Sequence, residues 1–145
     1  MLGTNMKAGI SFEDAAFRAR FDAGKVTLTE FHHREHLRLA YAYLCSASTE
    51  AAYHTMKISL KRFLSKNGVP ASKYHETLTR SWLEAVKHFM VKAGSPKSFD
   101  EFIEADDRLL SVDILLTHYK RDTLFSDKAR IEFVRPDIAP IPQYS

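Results

Sequence analysis

Cysteine is almost missing from this chain: among 145 residues only Cys45 occurs. A single thiol excludes an internal disulfide and a cysteine-based zinc module. Small secreted domains commonly depend on disulfide staples, so a cytoplasmic location is expected. Long apolar runs are missing as well. No stretch approaches the ~18 residues that would suggest a membrane span, and the first ten residues, MLGTNMKAGI, lack the apolar segment of a signal peptide. Charge of one sign is scarce: 21 Lys and Arg against 18 Asp and Glu leave a net charge of +3, with no dense basic block. Neither nucleic acid nor membrane is therefore an expected partner. Period-two apolar alternation, the mark of strands, is nearly absent. So are a phosphate loop, a dinucleotide fingerprint and a serine nucleophile elbow.

What is present is helix. A hydrophobic fraction of 45% and a charged fraction of 27% suit one globular domain over residues 1–145, with residues 1–10 as a loose N-terminus and 134–145 as an extended tail. Ser11 can cap a first helix that Gly24 stops, with Phe12, Ala16, Phe17 and Phe21 near one face. Thr27 and Glu30 have capping-box spacing, which predicts a second helix running on to about Cys45. A third helix follows Ser48 or Thr49 to Asn67, and a fourth runs from about Ser72 to Lys92. Ser98 and Glu101 open a short fifth helix, LLSVDILLTHY reads as helical, and Ser126 to Arg130 as a last turn. The segment EFVRPDIAPIPQYS holds three of the five prolines and cannot continue a helix. The fold class is all-α, a single-domain bundle of five to seven helices with a Pro-rich extended tail.

The second helix carries three histidines within FHHREH. On a wheel of 100° per residue, His36 falls with Ala40 and Tyr43, flanked by His33 and His32, while Arg34 and Arg38 lie across. The histidines thus share the apolar face. His33 and His36 are three apart and could reach one metal ion. His32 to His36 also matches H-x-x-E-H, an inverted zinc-protease signature, but Glu35 lies about 100° round the wheel from His36, which argues against that reading.

A second constellation is KYHETLTRSW, residues 73–82. His75 shares a face with Leu78, Thr79 and Trp82, and the positive end of its helix favours a neutral imidazole. Glu76 can serve as ligand, base or surface partner of Arg80; Tyr74 reads as packing. If helices two, three and four run up, down and up, His33 and His36 come level with His75 and Glu76.

Phe31-x-His33-x-x-His36-Leu37, Lys73-Tyr74-His75-Glu76-Thr77, Tyr119, Leu124-Phe125-Ser126 and Pro136-Asp137 together resemble a widespread family of small uncharacterised bacterial all-α proteins. The resemblance covers about Glu30 to Pro142, and it selects His33 and His36 over His32. It implies no reaction. The chain departs from the pattern at Lys120, where the family has serine. A fold-level similarity to the DinB-like metal-binding bundles is weaker, because ligand spacing and helix order do not match.

Two readings follow. In the first, His33, His36 and His75 bind a divalent transition metal (zinc, iron or nickel) and Glu76 is a fourth ligand or a catalytic base, with metal-assisted hydrolysis as the reaction. In the second, the domain is non-catalytic, binds a small molecule or a partner, and its histidines form a structural network. A homo-oligomer is compatible with either. Lys57, Lys61, Arg62 and Lys66 read as a solvated face and His54 and His88 as surface residues. His118 reads as core, and Arg130 and Arg135 as partners for Asp137 or an anionic ligand.

Overall fold

A computed structural model describes residues 8–144. Its described residues form an all-α bundle without strands. The helices are α1 (Phe12–Asp22), α2 (His33–Ser46), α3 (Thr49–Lys66), α4 (Glu76–Ala93), α5 (Phe99–Ala105), α6 (Arg121–Leu124) and α7 (Asp127–Ile131), with four 3-10 turns between them. Helix α4 is central and packs on α2, α3 and α7, while α1 covers α2. No described helix is long and apolar enough to cross a membrane. The core is built from Leu39, Tyr41, Met56, Leu83, Val86, Phe99, Leu109 and Leu115, all nearly solvent-free.

Local chemistry explains most boundaries. Ser11 and Asp14 form a reciprocal capping box at α1. Asp14 does more: it is 1% exposed, accepts the Phe99 N–H at 2.9 Å and meets Arg38 at 3.4 Å, tying α1 to α5 and α2. It shares the inward face with Phe17 and Phe21, which leaves Phe12 exposed rather than in the core. Gly68 and Gly94, at φ 70° and 84°, end α3 and α4 in a left-handed conformation that a side chain would resist. Residues 1–7 of the expected loose N-terminus lie outside the described residues. Gly9 is not loose, because its carbonyl accepts the Tyr41 hydroxyl at 2.6 Å and its N–H donates to Pro96 at 2.6 Å.

Three expected helices are corrected. The Thr27–Glu30 box forms, but it caps only a 3-10 turn, Leu28–Glu30. The chain breaks at Phe31, whose ring joins Phe21 at 5.0 Å and Phe63 at 4.9 Å, and α2 starts afresh with His32 as its N-cap. Helix α4 begins at Glu76 instead of Ser72, because a 3-10 turn after Pro70 comes first and His75 takes the N-cap position. Residues 107–117 wind as two 3-10 runs separated by Ser111, whose hydroxyl caps the second.

The Pro-rich tail is extended and firmly held. Thr77 donates its hydroxyl to the Glu132 carbonyl at 3.0 Å and receives the Val134 N–H at 3.0 Å. The fully buried Tyr119 donates to the Val134 carbonyl at 2.6 Å and accepts the Ser81 hydroxyl at 3.1 Å. The His118 carbonyl accepts the Ile138 N–H at 2.9 Å, its ring bonds the Ala139 carbonyl, and Ile141 enters the core. His118 is thus a tail anchor rather than a core residue.

Candidate ligand cavity

A cavity of about 460 Å³ opens between α3, the 69–74 connection, the first turn of α4 and the end of α7. On α3, Lys57, Lys61 and Leu64 recur at helical spacing and present one stripe to it. Val69, Ala71 and Tyr74 form its floor, Glu76 enters as the first residue of α4, and Arg130 and Ile131 close the far side. The lining therefore mixes apolar side chains with three cations and one carboxylate.

That carboxylate is unusual. Glu76 is 6% exposed, and its Oε1 pairs with Lys57 Nζ at 3.0 Å, while Oε2 is buried without a hydrogen-bond partner. Burial pushes the Glu76 pKa above its ordinary value, with the Arg80 guanidinium pulling the other way. A buried unpaired acceptor costs on the order of 1–3 kcal/mol, so folds rarely keep one without reason. Lys61 Nζ stands 5.0 Å above the Tyr74 ring, which orients that lysine. The Tyr74 hydroxyl is also buried, and burial raises its pKa while the nearby Thr79 side chain pulls the other way. Arg130 is placed by Ser72, whose carbonyl accepts Nη1 at 3.1 Å, and by Asp127 at 3.6 Å.

The predicted site residues are not brought together. His33 sits with its ring 4.6 Å from that of Trp82, two turns along α4 from His75, or about 10 Å of helix rise. The two motifs are therefore not level. His36 stands beside the Phe31 ring at 5.9 Å; burial first, and the neighbouring His33 second, lower its pKa from 6.5 to about 4. His33 Nε2 donates to the Leu109 carbonyl at 2.8 Å. His75 is fully committed. Its Nδ1 accepts the Leu78 N–H at 3.0 Å, and its Nε2 is 3.0 Å from the Leu124 carbonyl, which can only accept. The tautomer is thus Nε2–H, and no lone pair is left for a metal. Among the described residues, no group of three or more His, Cys, Asp and Glu side chains could hold a metal ion. Of the four predicted residues, only Glu76 lines the cavity.

Lys57 and Lys61 read as solvated positions on a basic helix; Lys61 is exposed as expected, while Lys57 is half-buried and pairs with Glu76. Their signal lies in the spacing of Lys57, Lys61 and Leu64 together with the carboxylate of the KYHET run that Lys57 meets. Arg130 stands where an anion could reach it, whereas Asp137 takes other partners, the Lys120 N–H at 2.9 Å and the Thr123 hydroxyl at 2.6 Å. His54 is exposed as expected, but His88 is half-buried and bonds the Tyr144 hydroxyl at 2.9 Å.

No family model, curated protein or solved structure matches this chain.

Proposed function

We propose that this chain is a small-molecule-binding helical domain that takes an organic anion in the cavity between α3, α4 and α7. One observation carries the reading. The cavity combines three cationic side chains, an apolar wall and a nearly solvent-free carboxylate with an unpaired oxygen. Ligand sites are concave, mostly apolar and carry a few convergent polar groups, and this cavity has that composition. Its charge excess selects anions. The histidines act in the scaffold: His33 braces α2 against the Leu109 turn, and His75 caps α4 while holding Leu124.

The test is a titration of 15N-labelled protein with two anionic probes, 3-phenylpropionate and 3-phenyllactate, and with uncharged 2-phenylethanol. At least one anion should shift amides of α3, α4 and α7 and bind about five-fold or more weaker in Arg130→Ala, on the order of 1 kcal/mol. Folded protein showing no site-specific shifts with either anion, or equal response to the alcohol, overturns the reading.

A further inference from the structure

We infer that the cavity's occupant is an amphipathic hydroxy acid, a carboxylate with a hydroxyl on the neighbouring carbon and an apolar body. This deepens the small-anion reading above and rests on it. Each part of such a molecule answers a part of the wall.

The negative charge is required by arithmetic. Lys57 is already paired with Glu76 at 3.0 Å. Lys61 and Arg130 line the same space, and Arg130 has the exposed Asp127 at 3.6 Å. A carboxylate set between them would meet a planar guanidinium and a mobile ammonium. The apolar body is required by Leu64, Val69, Ala71 and Ile131, the last of which is 69% exposed and would lose that exposure under a ligand.

The hydroxyl is required by Glu76 Oε2. That oxygen is an acceptor in a side chain more than nine-tenths buried, and among the described residues no group donates to it. The ligand must then bring an O–H or N–H. An ammonium would add a fourth cation to Lys57, Lys61 and Arg130. A hydroxyl satisfies the acceptor and adds no charge. Oε2 is sealed from solvent, so the hydroxyl reaches it through a local side-chain shift that opens it to the cavity.

Three probes that share one body decide the matter: 3-phenyllactate, 3-phenylpropionate and phenylalanine, titrated by calorimetry and by amide shifts. The hydroxyl bond to a buried carboxylate should make phenyllactate about ten-fold or more tighter than phenylpropionate. Phenylalanine should bind more weakly than phenyllactate. In Glu76→Gln the preference for phenyllactate should fall below about three-fold, because a neutral amide accepts less strongly. Equal affinities for phenyllactate and phenylpropionate overturn the hydroxy-acid assignment and leave the anion reading standing, as does tighter binding of phenylalanine. A preference that survives Glu76→Gln also overturns it. Absence of binding by every probe removes both. If Glu76→Gln does not fold, the wild-type series decides alone.

Discussion

Lowering the pH should unfold this protein through His36, and the size of the effect follows from its surroundings. The ring is half-buried beside Phe31, and burial, aided by the neighbouring His33, brings its pKa from 6.5 to about 4. Between those values the unfolded chain binds a proton that the folded chain refuses. The stabilisation is thus whole above pH 6.5 and drains away as the pH falls to about 4. A difference of that size is worth about 3 kcal/mol at full burial, and partial exposure trims it to about 2. Urea unfolding of wild type and His36→Leu, measured at intervals across this range, isolates the effect. Leucine fills the same apolar surroundings and cannot titrate, and the other ionisable groups are common to both proteins. The wild type should lose about 2 kcal/mol relative to His36→Leu on going from pH 7 to 4. Parallel stability curves for the two proteins would show that the ring charges freely where it stands, and would refute the reasoning.

Replacing His75 by alanine removes the N-cap of α4 and the bond to Leu124, and should cost about 2 kcal/mol in urea midpoint stability; His75→Asn keeps a capping acceptor and should recover about half. Tyr119→Phe removes the donor to the Val134 carbonyl and the acceptor for Ser81, so stability should fall by about 1–2 kcal/mol. Limited proteolysis should then cut within residues 132–141 before any other segment.

Much of the fold could be read locally. Ser11, Ser48, Ser98 and Ser126 each cap a helix through their own hydroxyl, so serine before an apolar run was sufficient evidence. Misreadings arose where a distant partner overrode a local signal. Thr27 and Glu30 satisfied each other, yet Phe31 left the helix for the aromatic group of Phe21 and Phe63. The site was legible at Glu76, through the KYHET run, and at Arg130, which reads as a partner for an anionic ligand. The metal expectation depended on the register between α2 and α4, which no helical wheel contains. The contact of His33 with Trp82 sets that register two turns away from the one needed. Lys57 and Lys61 carried no distinguishing composition, because a lysine beside a cavity and a lysine beside water look alike in one sequence.

The strap formed by residues 132–141 has a consequence for biosynthesis. Thr77 bonds Glu132 and Val134, and the Tyr119 hydroxyl donates to Val134, only once that stretch is in place. A nascent chain emerging from the ribosome therefore carries a central helix with an uncovered flank until that stretch clears the exit tunnel. During this interval the half-made bundle is a natural client for chaperones that recognise exposed apolar surface.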